Sequence, residues 1–249
     1  MSHASLTIVR YPKGNILFAI LAMAVFHIPL WFNKKIHFYK LMGSGRNGTF
    51  DKKPDWQQWA ILTVQELPGA ALQKNKMNGT VLSQNFLDHD EILGSFIRKW
   101  FSFFKCETYQ LLLEPLESHG LWDGKKAFGE QPSKSSYQGP VAVLTRATIR
   151  LNKLKYFWEN VAPVAALMGT AKGFRFSVGV GEIPWIKQAT FSVWETKDDM
   201  KAFAYGLKEH AEVIKKTRKQ QWYSEEMFTR FRILKTSGTL KGLNPLRDL

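Results

Sequence analysis

The spacing of apolar positions changes along the chain, and each change predicts an element. Leu6–Tyr11 alternates and is rich in β-branched residues, which predicts a strand. Asn15–Leu30 predicts a helix opened by Gly14-Asn15 and disturbed near its end by Pro29. Ile36–Leu41 and Trp59–Val64 read as strands, and the first of them runs into Gly43-Ser44-Gly45. Asp88–Lys105 predicts a helix with Ile92, Phe96, Trp100 and Phe104 on one stripe, followed by a strand at Thr108–Leu113. The order is βαββαβ. The second half repeats it. Strands are predicted at Val141–Arg150, Phe174–Val180, Ala189–Trp194 and Met227–Leu234. Helices are predicted at Lys153–Met168, with a kink at Pro163, and at Asp198–Trp222.

Each half therefore matches a ferredoxin-like unit, whose antiparallel sheet carries helices on one face and leaves the other open. An open apolar face has to be covered. Two units in one chain can cover each other, sheet against sheet. The expected fold is α+β: two tandem ferredoxin-like βαββαβ units forming a fused dimeric α+β barrel. The expected units are 1–121 and 140–249, joined by a linker at 122–139 where Gly, Lys, Ser and Pro cluster. A trace of duplication supports this. Trp56–Glu66 aligned on Trp185–Glu195 matches at four of eleven positions: Trp, Ala, Val and Glu.

Composition narrows the class. The 249 residues are 45% hydrophobic and 14% aromatic, enough to bury a core and too much for a disordered chain. A single cysteine, Cys106, excludes a disulfide framework within the chain and agrees with a reducing compartment. The formal charge of +14, from 35 Lys and Arg against 21 Asp and Glu, suits an anionic partner. It does not choose among nucleic acid, lipid and acidic protein. The start of the chain does not read as a signal peptide. The apolar run Ile16–Phe32 is about 17 residues, at the lower limit for a membrane span, and contains His27 and Pro29. It reads as a helix that is buried or lies on a membrane surface. A cytoplasmic location with membrane association is the expectation.

Most catalytic motifs are absent. There is no phosphate-binding loop, no His-Glu-x-x-His and no Gly-x-Ser-x-Gly elbow. Gly179-Val-Gly181 is followed by Pro184 where a dinucleotide fingerprint needs its third Gly. Asp88-His-Asp-Glu91 reads as an N-cap followed by acidic residues that complement the helix dipole. The last predicted helix opens with the capping box Thr196-x-x-Asp199 and carries the stripe Met200, Phe203, Ala204, Leu207, Ala211 and Ile214. His210 stands on or beside that stripe. It is either a core histidine with a partner on each ring nitrogen or an axial ligand to a metal cofactor between helix and sheet. Arg146 and Arg150 on one strand, and Arg230 and Arg232 on another, need acceptors inside a sheet. Haem propionates or iron-bound oxygen would serve, and so would Glu182, Glu195 or Glu225.

Several stretches resemble the spheroidene monooxygenase family. They are Phe38–Gly45, Pro140–Arg150, Phe176–Pro184 with Thr190–Trp194, and most specifically His210–Ile214 together with Trp222–Arg232. The resemblance spans most of the chain. It implies a haem-dependent, O2-using enzyme that introduces a keto group into an acyclic carotenoid, with haem b as cofactor and an electron donor such as a ferredoxin. The fused barrel is similar to aldoxime dehydratases and dye-decolourising peroxidases, which hold haem between a sheet and a helix with a helix His on the iron. That picture implies His210 as the ligand. It groups Leu207, Ile214, Phe191 and Trp194 around the cofactor, and sets Arg146 on the distal side to hydrogen-bond bound O2. The alternatives are another haem reaction such as aldoxime dehydration, or a non-enzymatic haem- or lipid-binding protein. Nucleic acid is not an expected partner.

Overall fold

The computed structural model describes residues 2–46, 51–66, 92–206, 216–217 and 219–247. Eight strands close into a barrel in the order β1-β3-β2-β6-β7-β5-β8-β4. The first half supplies β1 (Ser2–Arg10), β2 (Ile36–Gly45), β3 (Pro54–Glu66) and β4 (Glu107–Gly120). The second supplies β5 (Val141–Ile149), β6 (Phe174–Ile183), β7 (Lys187–Trp194) and β8 (Tyr223–Gly238). Each half has the ferredoxin-like order 4-1-3-2, and the predicted fused α+β barrel is what forms. The two seams differ. β4 and β8 pair along their length, from Tyr109 opposite Gly238 to Gly120 opposite Met227. Backbone pairing between β2 and β6 is limited to Gly43–Gly181 and Ser44–Val180.

Two of the duplicated positions occupy equivalent places. Ala60 and Val64 on β3, and Ala189 and Val193 on β7, all face the barrel interior. Alternation sends Leu6 and Ile8, Leu62, Leu111, Leu144, Val178 and Phe231 to the same core. The segment between the halves was expected to be a linker, yet it is part of that core. Trp122 and Phe128 are fully buried in the interior cluster despite their Gly- and Lys-rich surroundings. A barrel of two open sheets needs large side chains to fill it, and this segment supplies two of them.

On the outside, α1 (Ile16–Val25) and α2 (His27–Phe32) lie against the first half, with Ala19, Ala22, Phe26 and Leu30 inward. The break at Phe26 has a direct cause. Pro29 cannot donate to the carbonyl of Val25, and its ring crowds that carbonyl. The third helix, α3 (Ser95–Phe103), corrects the sequence reading. Gly94, at φ +83°, separates it from the helical turn at 92–93 and resets its phase. The buried stripe is therefore Ile97 and Phe101, and Phe96 faces outward. Asp88, read as the N-cap, lies outside the described residues, and Gly94 holds that position for α3. In the second half, α4 (Leu154–Met168) continues past Pro163. The short α5 (Lys197–Lys201) passes into a π-helical turn at Ala202–Gly206. The N-cap half of the expected capping box is formed, with the Thr196 hydroxyl accepting from the Asp199 backbone N–H at 3.0 Å. Trp222, expected at the end of this helix, is instead a buried non-helical residue whose N–H reaches the Thr217 carbonyl.

Candidate functional site

Two places concentrate chemistry. The first is an ionic cluster at one end of the barrel interior. Arg146 shares the inward side of β5 with Ala142 and Leu144, and is 1% exposed. Its Nη1 donates to Glu225, and its Nη2 donates to Asp123 at 3.0 Å, with Glu182 at 3.8 Å. Lys40 bonds Asp123 and Glu182, and Lys187 bonds Asp123 at 2.6 Å. The Trp122 indole N–H donates to Glu182 at 2.7 Å, and the guanidinium of Arg146 lies 5.6 Å from its ring. Strands β2, β5, β6, β7 and β8 and the inter-half segment thus meet in one network. Burial pushes the Asp123 carboxyl up, but bonds and charge from Lys187 and Lys40 prevail and hold it at about 2. Burial likewise opposes ionisation of Glu225. The backbone N–H groups of Gly124 and Asp123, with Arg146, prevail and hold it below the ordinary carboxylate value.

The second place is the outer wall of the second half, beneath α5. Val141 and Val143 of β5 and Trp194 of β7 pack with Met200 and Phe203, and Phe174, Phe228 and Tyr137 complete the layer. Trp194 and Phe203 lie 5.2 Å apart at 33°. At its edge Glu117, 2% exposed, accepts from Lys197 at 2.7 Å and pairs with Arg230 at 2.8 Å. The Ser135 backbone N–H also donates to Glu117. Burial pushes the Glu117 carboxyl up, but Lys197, this N–H and Arg230 hold it low. Among the described residues, the Thr190 hydroxyl and Nε of Arg230 are buried in this layer without a hydrogen-bond partner, while Nη1 of Arg230 has only its ion pair with Glu117. Such atoms are costly unless a ligand satisfies them.

The predicted site residues separate under this geometry. Trp194 belongs to the outer wall, while Phe191, three positions earlier, faces the barrel interior. Arg146 also faces the interior, on the opposite side of β5 from the wall, and Arg230 lies on the wall side of β8. Of the acceptors weighed from sequence, Arg146 meets Glu225 and Glu182, whereas Glu195 pairs with Arg175. With its terminal nitrogens so occupied, the geometry offers a distal role for Arg146 no support. His210, Leu207 and Ile214 lie outside the described residues. Arg230 was singled out from sequence, but its partner Glu117, together with Lys197 and Asp123, was missed, because alternation places a residue on a face but does not say which distant strand it meets. Burial pushes the Cys106 thiol up to about 12.

A haem needs a broad apolar wall, one axial nitrogen and donors for its carboxylates. The outer wall is apolar, though Met200 and Phe203 already cover its described part, and Arg230 Nε and the Thr190 hydroxyl are donors of the third kind; the nitrogen expected from His210 lies outside the described residues. Among the described residues no three His, Cys, Asp or Glu side chains gather as a metal cluster, a donor set that a haem does not require.

The fold defines a class: a fused α+β barrel of the kind seen in a crystal structure of aldoxime dehydratase. That structure superposes with a TM-score of 0.60 over 93% of this chain and 81% of its own, at 8% identity. A second, an aldoxime dehydratase in complex with butyraldoxime, gives 0.58 over 93% and 79%. No family model matches the chain. Curated relatives do. The spheroidene monooxygenase of Rhodobacter capsulatus is 34% identical over 248 residues, covering 99% of this chain and 96% of the relative. The spheroidene monooxygenase of Cereibacter sphaeroides is 34% identical over 86% of this chain, which spans 61% of that longer protein. That of Rubrivivax gelatinosus is 32% identical over 82% of the chain. The chain belongs to the spheroidene monooxygenase family, and it is an oxygen-using enzyme.

Proposed function

We propose that this protein introduces a keto group into an acyclic, spheroidene-like carotenoid by two successive hydroxylations of one methylene carbon. The observation that carries the reading is the 34% identity, sustained over 99% of the chain, to the Rhodobacter capsulatus spheroidene monooxygenase. Each round consumes one O2, two electrons and two protons, places one oxygen on carbon and releases the other as water. The electrons come from a donor such as a ferredoxin. The second round leaves a gem-diol, which loses water to give the ketone.

In this reading His210 would hold haem b, and Leu207 and Ile214 would contribute apolar contacts to it. Bound there, it supplies the activation of O2. The chain's own residues do the rest. Trp194, Phe203 and Phe174 form an apolar wall that keeps water out, and Phe191 supports that wall from the barrel side. Thr190 and Arg230 have buried donors left over for a polar group. Glu117 and Lys197 fix the orientation of Arg230 and of the start of α5. Arg146 and its carboxylates brace the far side of the same strands.

The runner-up is aldoxime dehydration, favoured by the barrel's likeness to aldoxime dehydratase. Expression with added haem decides the cofactor. The expected result is a Soret band that shifts with dithionite and CO, and that His210→Ala removes or sharply weakens. Aerobic turnover should then add one oxygen and remove two hydrogens from an acyclic carotenoid. Folded, haem-supplemented protein with no Soret band overturns the haem reading. Turnover of an aldoxime by the ferrous protein without O2 would establish the runner-up.

A further inference from the structure

The helices over the first half carry a surface that a water-facing helix does not have. Inward, α1 and α2 present Ala19, Ala22, Phe26 and Leu30 to the barrel. Outward, the stripe at helical spacing is Leu17, Ile20, Leu21, Ala24, Ile28, Trp31 and Phe32. Leu17 is 72% exposed, Trp31 78% and Phe32 76%. The one polar side chain beside this stripe is His27, whose Nδ1 is tied to the Tyr39 hydroxyl at 3.1 Å. An amphipathic helix on a barrel should be apolar on one side only. These helices are apolar on both.

The surface continues onto α3. Phe18 stacks on Phe104 at 4.5 Å, and Phe26 meets Trp100 at 5.6 Å, so α1 and α3 lie side by side. The outward residues of α3 include Phe96 and Phe103, the latter 79% exposed. The charges carried by these helices and their flanks have one sign. Residues 13–35 and 95–105 hold Lys13, Lys34, Lys35, Arg98, Lys99 and Lys105, with no Asp or Glu in either segment.

We propose that this face docks the protein on an anionic lipid bilayer, with α1, α2 and the outer edge of α3 lying in the headgroup–acyl boundary. Lys13–Phe32 is long and apolar enough, by length and composition, to cross a membrane. It does not cross in this fold, because its inner stripe is packed on the barrel sheet and Phe26 breaks its axis. Aromatic side chains at the apolar boundary and a cationic rim match the interface of a bilayer carrying anionic headgroups. A protein partner fits less well. Among the described residues the patch centre offers only the His27 ring and the Trp31 indole N–H for hydrogen bonding, and an acidic rim on a partner would leave the rest of that apolar centre unmatched. The inference concerns the first half of the chain and holds whichever reaction the second half performs.

The test is flotation of the purified protein with vesicles of phosphatidylcholine alone and with added phosphatidylglycerol. Binding should need phosphatidylglycerol and weaken as salt rises. The double variant Ile28→Glu, Trp31→Glu should lose at least tenfold in partitioning. Lys34→Glu with Lys35→Glu should lose severalfold and flatten the salt dependence. All four side chains are exposed, so circular dichroism and the unfolding midpoint should stay at wild-type values. Brominated lipid should quench wild-type fluorescence more than that of Trp31→Phe. Wild-type protein that stays off phosphatidylglycerol vesicles overturns the proposal. So does a solution dimer that Ile28→Glu, Trp31→Glu splits without any vesicle binding, because the face then belongs to a second copy of the chain.

Discussion

Replacing Arg146 with Met tests whether the ionic cluster is structural. The change keeps side-chain length and removes the cation that faces Glu225, Asp123 and Glu182. Leaving a buried charge without its partner costs roughly 3–5 kcal/mol. Two features lower that figure here. The carboxylates are 15–35% exposed, and Lys40 and Lys187 still serve Glu182 and Asp123. Glu225 loses most, keeping only the backbone N–H groups of Asp123 and Gly124. The expected loss is about 2–4 kcal/mol, read in urea as a midpoint lowered by roughly 1 M if the slope is about 3 kcal/mol/M. The penalty should shrink below about pH 4, where the stranded carboxyls take up protons. Adding Glu225→Gln should return about 1 kcal/mol or more, since the two side chains touch. A midpoint within about 0.3 M of wild type, coupled to lost turnover, would refute the argument and move Arg146 to the reacting centre.

Acid should weaken the protein through the same carboxyls. Asp123 is held at about 2, and Glu225 and Glu117 below their ordinary value. Their stabilisation is full above the unfolded carboxylate range and is lost as pH falls through the folded values, so the unfolding midpoint should drop between about pH 4 and 2. Asp123→Asn should flatten that limb. At the β4–β8 seam, Gly120 has φ +81°, and a Cβ there would sit 2.1 Å from the Glu226 carbonyl oxygen. Gly120→Ala should cost about 2 kcal/mol or more in thermal unfolding, whereas Gly14→Ala, with open space around it, should be nearly neutral. Equal effects of the two substitutions would contradict the seam geometry.

Alternation and helical spacing, read locally, were enough to predict two βαββαβ halves, and the open face of each half was enough to predict the barrel. Ala60 and Ala189, matched in sequence, are matched inside the barrel because the same pleat governs both strands. The N-cap at Thr196 is equally local, needing only a hydroxyl three residues from an N–H. Other features depend on contacts far apart in sequence. Composition alone cannot show that a Gly- and Lys-rich segment sends Trp122 and Phe128 into the core, because the space they fill is made by eight strands. Gly94 shifted the stripe of α3 by one position, which periodicity across the break could not register.

The site divides in the same way. Phe191, Trp194 and Arg146 were legible as candidates by residue type and by family likeness. Which side of the barrel wall each occupies was not. A strand gives its neighbours opposite directions, but closure of the barrel decides which direction is inside. Closure also brings Arg146 of β5 to Glu225 of β8 and Asp123 between the halves. Likewise, the sequence determined that residues 16–32 are apolar except at His27. Only the tertiary structure decided which stripe meets the barrel and which is left outside, because packing against one sheet can bury just one side of a helix.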